Sequence, residues 1–286
     1  MALAAHNIDA RQSTINHSGR DIHNHYYSTP IASGPSQPSS IPPFNDAPID
    51  LLSSHFTGRE KELQDIGNAL DVTYGDTPTR CIVGGMPGIG KTQLMLKYVA
   101  ISYDQQRYHV VFWISGATVE KVNQGFTKVL TLVGHQDHSE QSTRLTSARR
   151  WLEESTIKWL LVLDNVSQEV VTFLREHLPR KNRSGHVLLT TRSAVVAEVI
   201  ATVAGQQHHV FELQTPNLKD AAKLLLREAG VNAGKASVAE AVVKRVGCLP
   251  LAISHAASFA KQSHKNLDDL LGLYQSTHQY EVSSNV

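Results

Sequence analysis

The chain has little cysteine, little charge of either sign and no long apolar run. Each shortage removes a class of protein. Two cysteines in 286 residues, Cys81 and Cys248, cannot make a disulfide framework or, alone, a zinc site. Charged residues are 19% of the chain and sum to +1, which excludes a polycation working on nucleic acid or anionic membrane and a highly charged disordered chain. No purely aliphatic or aromatic run exceeds five residues, as in Trp159 to Leu163, too short to cross a bilayer. The N-terminus lacks a long apolar signal core, so the expected setting is cytoplasmic, with no membrane segment and no nucleic-acid partner. What is present is 41% apolar residues, enough for a sizeable core, in a length that suits one large domain or two small ones.

Residues 1–54 differ from the rest. Six prolines fall between Pro30 and Pro48, with serines between them, a composition that reads as an extended linker. The stretch Asn7 to Tyr27 has sparse apolar residues and no helical period. It reads either as a disordered tail or as a polar, Asn-containing β segment able to template itself.

From Phe56 onward helical and strand signals alternate. Helices are expected over Glu60–Leu70, Lys91–Ser102 and Glu120–Val133, and strands over Arg80–Val83, His109–Ile114, Trp159–Leu163, His186–Thr190 and His209–Phe211. That alternation implies a parallel five-stranded sheet with helices on both faces. After Leu213 the strand signals stop. Helices are expected over Asn217–Ala229 with Gly230 as its stop, from a Ser237/Glu240 capping box to Val246, over Leu251–Lys261 and over Leu267–Tyr274. The expected layout is a tail and linker (1–54), an α/β domain (55–214), an all-α domain (215–275) and a short tail (276–286).

Gly85-Met86-Pro87-Gly88-Ile89-Gly90-Lys91-Thr92 fits the phosphate-loop pattern G-x-x-x-x-G-K-[ST]. Glycines let the backbone turn its N–H groups toward phosphate, Lys91 brings a charge to the outer phosphates, and the Thr92 hydroxyl reaches Mg²⁺. An apolar strand before the loop and a helix after it are the context the motif needs. The run Trp159 to Leu163 ends in Asp164, a carboxylate for the Mg²⁺ side at the edge of a buried strand. Asn165 follows, where rapid hydrolysis calls for a carboxylate base; an amide can orient water but cannot take its proton. A further apolar strand delivers Arg192 to the same edge, where a guanidinium can sense the γ-phosphate.

With these pieces in order, Phe56 to Tyr274 resembles the NB-ARC domain of STAND-class P-loop NTPases, the switch module of NOD-like receptors. Phe56-Thr57-Gly58-Arg59-Glu60 is similar to the family's opening motif, which packs on adenine. Leu160 to Asn165 is similar to its Walker B strand and Thr190-Thr191-Arg192 to its sensor motif. Gly247-Cys248-Leu249-Pro250-Leu251 is similar to its GLPL motif, with Ser254 one turn beyond as a polar contact. The resemblance implies ADP or ATP as ligand with Mg²⁺ on Thr92 and Asp164. It implies nucleotide contacts at Phe56, Gly58, Arg59, Gly85 to Gln93, Pro250 and Ser254, and Lys91, Asp164, Asn165 and Arg192 at the reacting end. It also implies at most a slow Mg²⁺-dependent ATPase that controls self-association in immune-like signalling, with a homo-oligomer when activated and a downstream signalling protein. The N-terminal stretch resembles short motifs that precede such domains in fungi. The family's winged-helix Met-His-Asp motif and a repeat array are absent from these 286 residues, so exchange faster than in a full-length receptor is expected. Two other readings stand beside this one. In the first the chain is an actively cycling AAA-like ATPase, which Asn165 disfavours. In the second it is an adaptor assembled by its N-terminal segment, with a vestigial nucleotide domain, which the intact phosphate loop disfavours.

Fifteen histidines invite a metal reading at His23-Asn24-His25 and at His208-His209. The second pair opens a strand, so its side chains face opposite ways. Structural or solvated roles are expected for both pairs, a pocket rim or core role for His255, and burial for both thiols.

Overall fold

The computed structural model describes residues 41–135, 140–203 and 206–274. The N-terminal stretch with its candidate β segment and His23/His25 lies outside them. A six-stranded, all-parallel sheet organises the chain from Pro42 onward. Its strands are β1 (Phe44–Asn45), β2 (Thr79–Gly84), β3 (Val110–Ser115), β4 (Trp159–Val166) and β5 (Gly185–Thr191). A two-stranded hairpin, β6 (Thr202–Val203) with β7 (Gln206–Gln207), stands apart, and β8 (His209–Glu212) closes the set. The order across the sheet is β1-β3-β4-β5-β2-β8.

The sixth strand is a correction to the expected five. Phe44–Asn45 lies in the stretch read as linker, yet pairs with Val110–Val111 of β3. Phe44 packs edge-on against Phe112 at 5.4 Å, and Asp46 forms an ion pair with Lys128 at 2.5 Å. The sheet therefore begins before Phe56, inside the stretch read as linker.

Helices α1 (Glu60–Asp71) and α2 (Lys91–Asp104) cover one face; α3 (Val119–Leu132), α4 (Gln141–Glu154), α5 (Val171–His177) and α6 (Ala194–Ala201) cover the other. Strand side chains alternate between these layers: Cys81, Val83, Leu160, Val162 and Leu188 join the core under α1 and α2. Both faces of β4 are covered, which is why Trp159 to Leu163 is apolar without alternation and wholly buried.

The start of β4 is locked by shape. Trp159 pairs with Gly185 across the ladder, and its indole Nε1 donates to the Leu152 carbonyl at 3.0 Å. A Cβ on Gly185 would lie 2.0 Å from the Trp159 ring. Gly185→Ala is therefore expected to lose about 3 kcal/mol of stability, the upper end for an overpacked core. A urea midpoint matching wild type would refute that.

A second apolar cluster lies outside the sheet layers. Helices α7 (Leu218–Ala229), α8 (Ala236–Arg245) and α9 (Pro250–Gln262), with a helical stretch at 267–274, pack through Ala221, Leu225, Val242, Ile253 and Ala257. Asn217 caps α7 by accepting from the Asp220 amide at 3.0 Å, and Gly230 ends it in the left-handed region. The Ser237/Glu240 capping box does not form. Helix α8 starts at Ala236 out of a 3-10 turn, Ala233–Lys235, with no side-chain cap, which places Ser237 inside the first turn.

Candidate functional site

Parallel strands present their C-terminal ends on one edge, and crossover helices start there. Strand β2 runs into the phosphate loop, which adopts positive φ at Gly85 (141°), Gly88 (77°) and Gly90 (99°). Only glycine takes these values without strain. Gly90 then caps α2, whose first residue is Lys91. Strand β5 lies between β2 and β4, so Asp164 and Arg192 leave adjacent strands beside the loop.

The Lys91 side chain folds back over the loop. Its Nζ donates to the Gly85 carbonyl at 2.5 Å and the Met86 carbonyl at 3.0 Å. Lys91 is buried. Desolvation, and next the neighbouring Arg192 guanidinium, pull the ammonium below its ordinary value, while Asp164 and Glu212 act the other way. Arg192 is exposed and lines the same cleft. Among the described residues no hydrogen bond or ion pair engages its guanidinium. Two cations facing one space are an electrostatic request for an anion.

Opposite them, the Thr92 hydroxyl donates to both oxygens of Asp164 at 3.0 Å each. A threonine hydroxyl and one carboxylate are hard oxygen donors, and the described residues contain no cluster of three or more metal-ligating side chains. That donor set fits Mg²⁺ taken with a nucleotide's own phosphates and water, not an all-protein metal cage. Asn165 stands at φ 60° on the exposed end of β4.

The cleft has a volume of about 580 Å³, within the range of small-ligand sites. One wall is Pro87 to Gln93 with Asp164, Asn165, Thr190 and Arg192. Ser53, Phe56, Thr57 and Arg59 form a second, and the helical cluster supplies the third through Asp220, Leu224, Glu228, Pro250, Leu251 and Ser254. Arg59 pairs with Glu62 at 2.6 Å and reaches the Ile89 carbonyl at 3.4 Å. Ser254 donates to Glu228 at 3.0 Å. The Leu251 amide, in the first turn of α9, donates to the Gly88 carbonyl at 3.2 Å; a Cβ on Gly88 would meet the Leu251 Cβ at 2.9 Å.

Most of the expected site residues thus converge. Three sit outside the wall: Gly85 and Met86 present carbonyls to Lys91, and Gly58 packs on the Asp220 carboxylate. Gln93 lines the cleft, but its amide is held by the Ser53 amide (2.7 Å) and the Leu51 carbonyl (2.9 Å). It ties the opening segment to α2. His255 is exposed and off the cleft. His208 and His209 do face opposite ways, His208 buried and His209 exposed. Cys81 is buried as expected; Cys248 is only half-buried. The lining residues that no motif named were Ser53, Pro216, Asp220, Leu224 and Glu228. The last three recur every fourth residue on α7, a stripe beside the buried Ala221/Leu225 face, and that spacing is legible.

A parallel sheet whose edge carries this loop, a Thr–Asp pair and a free cation defines a P-loop NTPase. The profile of the NB-ARC domain matches residues 59–234, more than half of the chain, and the chain belongs to that family. A nucleotide-binding leucine-rich repeat (NLR)-like protein of Hyaloscypha variabilis (strain UAMH 11265 / GT02V1 / F) is 27% identical over 247 residues, 79% of this chain and 24% of its own length. The chain therefore spans about a quarter of that relative. The solved Aeropyrum pernix ORC2 protein, described as ADPNP–ADP complexes, superposes with a TM-score of 0.53 at 14% identity, over 81% of this chain and 71% of that one; this likeness is one of fold. Among the described residues no helix is long and apolar enough to cross a membrane.

Proposed function

We propose that this chain is the nucleotide-responsive switch of an NLR-like signalling protein. In this reading it binds ADP and ATP with Mg²⁺, hydrolyses ATP slowly or not at all, and controls self-association through the γ-phosphate. Lys91 and the loop amides bind the phosphates, Thr92 and Asp164 hold Mg²⁺, and Phe56, Arg59, Pro250 and Ser254 enclose the base end. The metal would neutralise phosphate charge. The observation that carries the reading is the shared wall of the cleft. The helical cluster contributes Pro250 and Ser254 to it and is joined to the phosphate loop by the Leu251–Gly88 hydrogen bond. A ligand that reshapes the loop therefore acts on the helical cluster as well, and shifts it in proportion to its differential affinity for the two arrangements.

Asn165 in place of a carboxylate supports slow turnover, since no general base follows Asp164. Arg192, exposed on the cleft wall, is the reader of the γ-phosphate. Arg192→Ala is expected to leave the ADP dissociation constant near wild type and to weaken ATP about tenfold, the loss of one charge-assisted contact. Titration with labelled ADP and ATP checks this, and equal losses for both nucleotides would remove Arg192 from that role.

A further inference from the structure

Strand β4 has one irregularity, and it falls at the Mg²⁺ side of the cleft. Its register against β5 runs in step from Trp159 to Leu163, then slips before Val166 pairs with Thr191. Asp164 and Asn165 lie in the slip, and Asn165 takes φ 60°. A bulge frees backbone groups from the ladder, and these must find partners elsewhere. The Asn165 amide finds the Thr190 hydroxyl, donating to Oγ1 at 2.7 Å. The same hydroxyl spends its one proton on Asp164 Oδ1, also at 2.7 Å. Thr190 is 1% exposed, so its hydroxyl has little access to bulk water as an alternative partner. Its neighbour Thr191 clamps the far side of the slip by donating to the Val166 carbonyl at 2.8 Å.

Asp164 thus has two holders. Thr92 is itself a candidate Mg²⁺ ligand; Thr190, at the end of β5 on the same cleft wall, holds the carboxylate from the neighbouring strand. We infer that Thr190 is a positioning residue for the Mg²⁺ site, coupling the bulge at Asn165 to the Asp164 carboxylate. This rests on the Mg²⁺–nucleotide reading above. A hydroxyl is required because the position must accept from an amide and donate to a carboxylate at once. Valine keeps the shape, strands the Asn165 amide and leaves Asp164 to Thr92 alone.

The test is ATP affinity measured in Mg²⁺ and in EDTA for wild type, Thr190→Val, Thr190→Ser and Thr191→Val, with thermal unfolding as the folding check. Thr190→Ala replaces the valine variant should that one not fold. Wild type is expected to bind ATP more tightly in Mg²⁺ than in EDTA. In Thr190→Val that ratio falls by about 10- to 100-fold, the usual loss when a residue orienting a metal ligand is removed, with the loss concentrated in the Mg²⁺ measurement. Thr190→Ser keeps the ratio. So does Thr191→Val, which loses a donated bond to the Val166 carbonyl and an accepted one from the Ser193 amide without touching Asp164. A preserved ratio in Thr190→Val, or an equal loss in Thr191→Val, would overturn the assignment of Thr190. No Mg²⁺ dependence in wild type would instead overturn the Mg²⁺ reading, and this inference with it.

Discussion

Lys91→Ala is expected to abolish nucleotide binding while leaving the fold intact. At an effective dielectric constant near 20, a cation about 4 Å from a phosphate charge contributes about 4 kcal/mol. Lys91 projects over the loop that would hold the two outer phosphates. Loss of even half of one such contact weakens binding by more than about tenfold, and loss of the pair by about a thousandfold or more. The ligand-free protein should not suffer. Burial and the Arg192 cation already disfavour the charged ammonium there, and its partners are two loop carbonyls, not a carboxylate. The melting temperature of ligand-free Lys91→Ala is therefore expected at or above that of ligand-free wild type. Chromatography of nucleotide released on denaturation, with titration calorimetry, tests the first part. Retained binding at wild-type affinity would mean that the loop amides and the α2 N-terminus suffice without the lysine.

The phosphate-loop half of the site was legible because its chemistry demands a fixed spacing: glycines where φ is positive, then Lys and Thr at the helix start. Strand β4 was legible because burial on both faces leaves an unbroken apolar run. The features that escaped have weak local signals and depend on distant partners. Strand β1 is two residues long and exists because Phe44 meets Phe112 and Asp46 meets Lys128; nothing local separates it from the prolines before it. Helix α4 buries only Leu145, Ala148 and Leu152, a narrow stripe in a polar stretch. The bulge at Asp164–Asn165 has no composition of its own, and only the register against β5 exposes it. The acidic stripe of α7 was readable as spacing, but its use in the cleft wall comes from how the helical cluster sits on the loop.

Acid is expected to destabilise the protein through two histidines that are held neutral. His208 is 2% exposed, accepts the Arg80 amide on Nδ1 at 3.0 Å and lies against Tyr74 with ring centroids 4.1 Å apart. Desolvation, then the Arg80 guanidinium, lowers its pKa to about 4. The guanidinium is itself buried against the Ile200 and Pro179 carbonyls, so a protonated His208 would sit beside a second confined cation. His186, whose Nδ1 meets the Tyr108 hydroxyl at 2.8 Å, is lowered to about 4 by desolvation first and Arg107 second. An unfolded histidine titrates near 6.5. Between pH 6.5 and 4 the unfolded chain therefore binds protons that the folded chain refuses. Stability is complete above about pH 6.5 and falls as pH drops toward about 4, by about 3 kcal/mol for each histidine. Urea unfolding across that window should show the decline, and His186→Gln with His208→Gln should remove the part owed to these two side chains. The Arg80 amide that His208 holds belongs to β2, five residues before Gly85, the first glycine of the phosphate loop. An unfolding midpoint that is flat from pH 6.5 to 4, or a slope unchanged in the double variant, would show that neither histidine resists protonation in the folded chain.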